Sequence, residues 1–172
     1  MSIQLRPVDR PDVTRLAVLL DQLGYPTDPA AADERLDYWL GDPASFLLGA
    51  AVEDELVGVA ALHVCPILEV TGRFGRLVAL VVDDRHRGRG VGRALVGAVE
   101  QRAREAGCLF MEVTSSRRRD RAHRFYRDLG YADTCGQKAR FTKPLVAAAP
   151  SAVDRVDGAS QGQSDSGDSR AG

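Results

Sequence analysis

The segment 77–107 constrains the fold of this chain more than any other part of the sequence. It begins with six consecutive apolar residues, 77–82, which are too few for a typical helix and are rich in β-branched side chains. An apolar run without polar alternation predicts a strand that is buried on both faces. Apolar residues then recur at helical spacing between Val91 and Ala106, and Gly107 is a typical helix stop. The segment therefore predicts a strand, a loop and a helix in succession.

The loop and the start of this helix interleave glycine with arginine. The residues concerned are Arg85, Arg87, Gly88, Arg89, Gly90, Gly92 and Arg93. Glycine allows backbone N–H groups to approach a ligand closely. The first amides of a helix lack intrahelical partners and carry partial positive charge. Together these features predict a phosphate site, and the alternative is a tight turn that carries a solvated arginine face.

The glycine pattern excludes two common phosphate-binding loops. A Walker loop needs G-K-[ST] after the glycines, and a dinucleotide fingerprint needs a third glycine or alanine at a set offset; neither is present. The sequence R-G-R-G-V-G at residues 87–92 matches R-x-x-G-x-G. This stretch resembles the pyrophosphate loop of the GNAT superfamily, the small acetyl-CoA-dependent N-acetyltransferases.

A second segment carries the same resemblance. Residues 122–131 read A-H-R-F-Y-R-D-L-G-Y, which resembles the A-x-x-F-Y-x-x-x-G-[FY] segment of GNAT proteins. The resemblance covers residues 2–145. It implies an α/β (α+β) GNAT fold, in which a mixed central β-sheet of about seven strands is flanked by about four helices.

Hydrophobic periodicity and turn residues predict the order of elements. Strands are predicted over residues 2–6, 45–52, 56–64, 73–82, 108–114, 131–134 and 137–142, and helices over residues 11–23, 28–40, 91–106 and 115–130. From residue 147 the composition contains no aromatic residue and few large aliphatic ones, which predicts disorder. We therefore expect one acetyltransferase domain over residues 1–146 and a disordered tail over residues 147–172.

Composition narrows the class of partner. The net charge of −1 gives no reason to expect a nucleic-acid or membrane partner, and the three dispersed cysteines predict neither a disulfide framework nor a metal site. The first ten residues lack the apolar core of a signal peptide. No apolar run approaches the ~20 residues of a membrane span. We expect a cytoplasmic protein.

The resemblance also implies site residues. The backbone of β-strand residues Leu80, Val81 and Val82 would pair with the pantetheine arm of acetyl-CoA, and Tyr126 would protonate the thiolate of the leaving CoA. His123, one helical turn before Tyr126, would contact CoA or orient Tyr126, or be an exposed polar residue. The amides expected to hold the pyrophosphate belong to Arg87, Gly88, Arg89, Gly90, Val91, Gly92 and Arg93.

The general base is less well indicated. GNAT relatives often place an acidic residue on the central strand, and residues 77–82 contain none. Glu69, His63 and Glu112 are candidates by position, and proton transfer through water is the alternative.

These residues predict an N-acetyltransferase in which an amine attacks acetyl-CoA directly in a ternary complex. The acidic stretch 28–42 favours a small cationic acceptor such as a polyamine or aminoglycoside, although a solvated helix face explains the same charges. The alternatives are a peptide or protein amine as acceptor, an acyl-CoA-binding sensor or scaffold without turnover, and an ATP-binding protein. A homodimer through the strands at 131–142 is compatible with the resemblance.

Overall fold

The computed structural model describes residues 2–136, which form a mixed sheet flanked by helices. The strands are β1 (Gln4–Pro7), β2 (Ser45–Val52), β3 (Glu55–Pro66), β4 (Arg73–Val82) and β5 (Cys108–Val113). The helices are α1 (Val13–Leu23), α2 (Pro29–Gly41), α3 (Val91–Glu105) and α4 (Asp120–Asp128). The element order from β1 to α4 is the predicted one, and the predicted fold class is confirmed, with five strands among the described residues.

The sheet has the strand order β1-β2-β3-β4-β5. Neighbouring strands from β1 to β4 are antiparallel, whereas β4 and β5 are parallel. A parallel pair requires a crossover connection, and α3 provides it between β4 and β5. The end of β4 and the beginning of α3 therefore lie at the same edge of the sheet.

Local sequence signals set the ends of the two N-terminal helices. The Asp28 side chain accepts a hydrogen bond from the Ala31 amide at 2.8 Å, and Pro29 occupies the first turn of α2. Gly24 ends α1 in the left-handed region with φ of 104°, which a residue with a Cβ rarely adopts.

Two apolar clusters lie on opposite faces of the sheet, because successive side chains of a strand point to opposite faces. Helices α3 and α4 cover one face, called here the α3 face, and α1 and α2 cover the other, called here the α1 face. The α3-face cluster includes Leu62, Leu77, Leu95, Val96 and Val99. The α1-face cluster includes Leu16, Leu19, Leu36, Val59 and Val81.

The strand predicted at 131–134 is wrong. The Tyr131 amide bonds the Tyr126 carbonyl at 3.0 Å, and the Tyr131 hydroxyl donates to Glu100 of α3 at 2.9 Å. The Asp133 carboxylate accepts from the Cys135 amide at 3.0 Å, which makes an Asx turn instead of a ladder.

Several further predictions concern residues that the structure does not describe. The strand at 137–142, the tail from 147 and the end of the domain at 146 lie outside residues 2–136, as does half of the edge at 131–142 predicted for a homodimer. Among the described helices, none has the length and hydropathy needed to cross a bilayer.

Candidate active site

Strands β4 and β5 separate part-way along the sheet. Their pairing ends at Leu77 and Val113, whereas β4 remains paired with β3 as far as Val82. Val78 forms a bulge, since Ala61 of β3 pairs with Ala79 and the next pair skips to Leu77. The backbone edge of residues 78–82 that faces β5 thus has no strand partner within residues 2–136. We call this opening the fork.

The glycine loop joins the open end of the fork to α3. Gly88 and Gly90 have φ of 75° and 85°, and a Cβ at either position would meet no atom within 4 Å. Glycine is therefore favoured at both positions by the backbone conformation and not by a lack of space for a side chain. The first helical bond of α3 runs from the Ala94 amide to the Gly90 carbonyl, so the amides of residues 91–93 have no intrahelical partner.

A buried carboxylate anchors this loop. Asp83 is fully buried directly after β4, and one of its oxygens lies 2.6 Å from an Arg15 nitrogen of α1. It also accepts from the Arg85 amide at 2.9 Å and from the Arg85 guanidinium at 3.0 and 3.1 Å. These bonds hold the pKa of Asp83 well below its usual range, and the side-chain bonds from Arg85 have the largest effect. The Gln22 side chain accepts from the Asp84 amide, which ties α1 to the loop a second time.

Two of the loop arginines make contacts within the protein. Arg85 reaches Glu55 at 3.1 Å. Arg87 donates to the Val82 carbonyl at 3.0 Å and lies 2.6 Å from an Asp84 oxygen. Since these guanidinium groups have protein partners, the backbone amides carry much of the anion-binding capacity predicted for the loop.

Tyr126 of α4 faces a cleft beside the fork. The cleft is also lined by His123 and by Val113 and Thr114, where β5 leaves β4. The ring of Tyr126 makes edge contacts with Phe125 and with the tyrosine at 131. Burial raises the pKa of the Tyr126 hydroxyl to about 12, so it keeps its proton at neutral pH.

A line of polar residues crosses four strands on the α1 face, next to the closed end of the fork. Ser45, His63, Arg76 and Glu112 are successive Cα partners across β2, β3, β4 and β5. Arg76 precedes the inward-facing Leu77 of the α3-face cluster, so it points to the opposite face. The side chains of His63, Arg76 and Glu112 are 37%, 39% and 41% exposed. We call these four residues the polar row.

Hydrogen bonds in the polar row define the proton positions of His63. The Ser45 hydroxyl donates to an Asp42 carboxylate oxygen at 2.7 Å and lies 2.9 Å from His63 Nδ1. Because the hydroxyl has one proton, His63 Nδ1 must be the donor in the second bond. Neutral His63 then carries its lone pair on Nε2. Arg76 Nη1 lies 3.2 Å from Glu112 Oε1.

Comparison with known proteins identifies the family. The model of the acetyltransferase (GNAT) family matches residues 13–131. The chain belongs to the GNAT family. A GNAT family acetyltransferase of Staphylococcus aureus has a similar structure, with a TM-score of 0.70 and 26% identity, over 84% of this chain and 100% of that one.

Curated GNAT relatives are similar over part of their length. The aminoalkylphosphonate N-acetyltransferase of Salmonella typhimurium is 36% identical over 91 residues, which is 53% of this chain and 57% of the relative. A probable glucosamine 6-phosphate N-acetyltransferase of Drosophila melanogaster is 31% identical over 97 residues, which is 52% of this chain and 40% of the relative. The matched stretches thus span about half the length of these relatives.

The structure groups some of the predicted GNAT site residues. Leu80, Val81 and Val82 lie along the fork, Tyr126 and His123 share one cleft, and the loop residues lie at the start of α3. The base candidates His63 and Glu112 flank Arg76. Glu69 is exposed in the connection before β4, and the paired residues 73–77 of β4 lie between that connection and the closed end of the fork along the chain.

The acidic stretch 28–42 is largely engaged in local contacts. Arg10 pairs with both Asp33, at 2.9 Å, and Asp37. Asp28 caps α2, and Asp42 accepts from Ser45. These contacts account for four of the acidic residues that the sequence offered for a cationic acceptor.

Sequence reasoning missed Asp83 with Arg15, and it missed Arg76. The sequence carries a signal for Asp83, because two aspartates directly follow the apolar run of a predicted buried strand. Arg76 has no such signal, because only the strand register brings it between His63 and Glu112.

Proposed function

We propose that the chain transfers an acetyl group from acetyl-CoA to a small primary amine, with both substrates bound at once. One observation supports this most strongly: the fork opens between the glycine loop on the α3 face and the polar row on the α1 face. A donor and an acceptor can therefore meet at the fork from opposite faces of one sheet.

The donor is proposed to bind along the fork. The backbone edge of residues 78–82 that faces β5 has no strand partner among the described residues, although its Val82 carbonyl accepts from Arg87. This edge suits the amides of a pantetheine arm, which would add to β4 as a short strand. The amides of residues 88–93 suit the pyrophosphate. In this arrangement the acetyl group lies near Val78, where the pairing of β4 and β5 ends.

The reaction breaks one bond and forms another. The amine nitrogen attacks the thioester carbonyl carbon, the new C–N bond forms, and the C–S bond breaks. The sulfur leaves as thiolate and takes the Tyr126 hydroxyl proton. The nitrogen releases its surplus proton to solvent as the amide forms, and solvent reprotonates Tyr126. Protonation of the thiolate removes the stronger nucleophile and disfavours the reverse attack.

The amine must lose a proton to attack, and we propose His63 as the acceptor of that proton, directly or through one water. Its Nε2 lone pair is available while Nδ1–H is held by Ser45, and Asp42 holds the Ser45 hydroxyl in turn. This is the arrangement of a base oriented by a hydrogen-bonded partner. Glu112 suits the role less, because its carboxylate is already engaged by the Arg76 guanidinium at 3.2 Å.

The names of the relatives favour a small acceptor. The curated relatives are named for an aminoalkylphosphonate and for glucosamine 6-phosphate, both of which are small amines. A small cationic amine remains an alternative supported by the charge of 28–42, although Arg10 already neutralises Asp33 and Asp37.

A panel assay tests this function. Release of CoA thiol from acetyl-CoA is measured with small amines, aminoglycosides, polyamines and short peptides, with mass spectrometry of the acetylated product. We expect turnover with small amines and none without amine. Binding of acetyl-CoA with no turnover for any amine would instead favour an acyl-CoA sensor, and turnover of peptides alone would contradict a small acceptor.

A further inference from the structure

Arg76 is a cation at the closed end of the fork that the proposed chemistry does not use. Its guanidinium carries five N–H donors, and the described ion pair with Glu112 involves Nη1. The two side chains are 39% and 41% exposed. Ion pairs this exposed contribute little to stability, so the fold alone does not explain an arginine at this position.

The position of Arg76 relates it to both substrates. It lies two residues before the bulge at Val78 and directly beside His63 on the neighbouring strand. A group bound to Arg76 on the α1 face would therefore lie about one strand spacing, ~5 Å, from the group that meets His63.

Charged groups of both signs lie along the polar row and its neighbour Asp42. Asp42 is anionic, His63 is the proposed base, Arg76 is cationic and Glu112 is anionic. This order is complementary to a small molecule that carries an ammonium and an anionic group a few bonds apart. A purely cationic acceptor would place a like charge beside Arg76, and an uncharged one would leave the guanidinium unused.

We propose that Arg76 binds an anionic group of the acceptor, which makes the acceptor a small zwitterionic amine. This inference rests on the proposed acetyltransferase function and names its substrate class. The shared chemistry is a planar guanidinium with a phosphonate, phosphate or carboxylate, which it can bind with two parallel N–H···O bonds. Arg76 is thus a specificity-determining residue and takes no part in proton transfer.

Four amines of matched length test the proposal. They are 2-aminoethylphosphonate, 3-aminopropionate, 3-aminopropanol and 1,3-diaminopropane, which end in a phosphonate, a carboxylate, a hydroxyl and an ammonium. For the wild-type protein we expect kcat/KM at least about 10-fold higher with an anionic amine than with the uncharged one. The first two compounds distinguish phosphonate from carboxylate as the preferred anion.

The Arg76→Gln variant then removes the cation. We expect KM for the preferred anionic amine to rise about 10- to 100-fold, as for lost hydrogen bonds to a charged group, with KM for 3-aminopropanol and for acetyl-CoA unchanged. Arg76→Lys keeps the charge, so its KM for the preferred anionic amine should lie between the values of the wild type and Arg76→Gln. Arg73→Gln is the matched control, because Arg73 lies on the same strand and donates to the Ala106 carbonyl instead.

The outcomes separate this inference from the function on which it rests. Equal effects of Arg76→Gln on anionic and uncharged amines would overturn the role of Arg76 while the acetyltransferase function stands. Absence of turnover with every amine would overturn the function. In that case the thermal shift caused by 2-aminoethylphosphonate still decides the role of Arg76: a shift in wild type that Arg76→Gln abolishes supports it, and no shift contradicts it.

Discussion

At the scale of single residues, Tyr126 combines a protected proton with a position beside the fork. Burial raises its pKa to about 12, so the hydroxyl stays protonated over the whole range in which an amine acetyltransferase is assayed. The neighbouring tyrosine, Tyr131, donates to Glu100 and has a structural bond of its own. Tyr126 is therefore the proposed proton donor, and Tyr131 is a matched control for the loss of a tyrosine hydroxyl.

Replacing Tyr126 with phenylalanine should lower kcat about 100-fold or more, the range of general acid catalysis, with the Kd for acetyl-CoA unchanged. Tyr131→Phe should retain kcat and lose about 1 kcal/mol of stability with its hydrogen bond. Steady-state rates measure kcat, calorimetric titration measures the Kd for acetyl-CoA, and urea unfolding measures the stability. Because the Tyr126 pKa is near 12, the wild-type rate should show no fall between pH 8 and 10 from loss of this acid. Equal rates for wild type and Tyr126→Phe would remove the residue from the mechanism.

The two base candidates differ in position and can be compared directly. His63→Gln should lower kcat about 100-fold near pH 7, because the Nε2 lone pair is lost. Glu69→Gln should leave kcat within about two-fold, since Glu69 lies in an exposed connection away from the fork. Initial rates at saturating acetyl-CoA measure both variants. A normal rate for His63→Gln would indicate proton transfer through water or another group.

At the scale of elements, the boundary between β4 and α3 carries the proposed donor site. The loop needs left-handed backbone at Gly88 and Gly90, and it is fastened to α1 through Asp83. Its conformation is therefore set from two directions, by local glycine geometry and by a contact between residues far apart in the sequence.

Gly90→Ala should raise KM for acetyl-CoA and cost about 1–2 kcal/mol, because an L side chain is strained at φ of 85°. Gly97→Ala is the control. Gly97 lies inside α3, where an added Cβ meets nothing within 4 Å, so alanine should add about 0.5–1 kcal/mol of stability and leave KM unchanged. Urea unfolding and acetyl-CoA titration measure these effects. Identical KM values for the two variants would contradict the role of the loop backbone.

Asp83→Asn should lower the free energy of unfolding at pH 7 by about 1.5–3 kcal/mol, since Arg15 and Arg85, which are partly exposed and also contact Glu55, lose their charged hydrogen bonds to Asp83. The folded-state pKa of Asp83 is lowered, so its contribution is present above the unfolded value of about 3.9 and is lost as the pH falls through the folded value. The difference between wild type and variant should therefore shrink below about pH 4. Urea unfolding at pH 7, 5 and 3 measures it, and a constant difference would contradict this linkage.

The elements were largely predictable because their signals are local. Strands β2 and β4 have their predicted limits, 45–52 and 73–82, since apolar runs bounded by turn residues require no tertiary information. The strand predicted at 131–134 failed because the local backbone is engaged elsewhere: the Tyr131 amide bonds the Tyr126 carbonyl of α4, and the Cys135 amide bonds the Asp133 side chain.

The candidate site was predictable only where it follows a continuous motif. The glycine loop and Tyr126 lie in such motifs. The polar row does not, because the register of four strands brings its members together, and Asp83 meets Arg15 across 68 positions of sequence. The local contacts of the acidic stretch were equally hidden from the sequence, since Arg10 pairs with Asp33 and Asp37 from a preceding turn.

At the scale of the whole molecule, the sheet separates two binding faces. The α3 face carries the glycine loop and Tyr126, and the α1 face carries the polar row. The fork is the place where the sheet is open between them. Under the proposed function, acceptor and donor are bound together when the acetyl group moves, with no acetylated form of the protein in between.

Initial rates with acetyl-CoA and the preferred amine both varied test this arrangement most directly. We predict double-reciprocal lines that intersect, and no labelled acetyl group on the protein after incubation with acetyl-CoA alone. Parallel lines together with a stable acetylated protein would show that the acetyl group passes through a protein residue, and would contradict direct transfer across the fork.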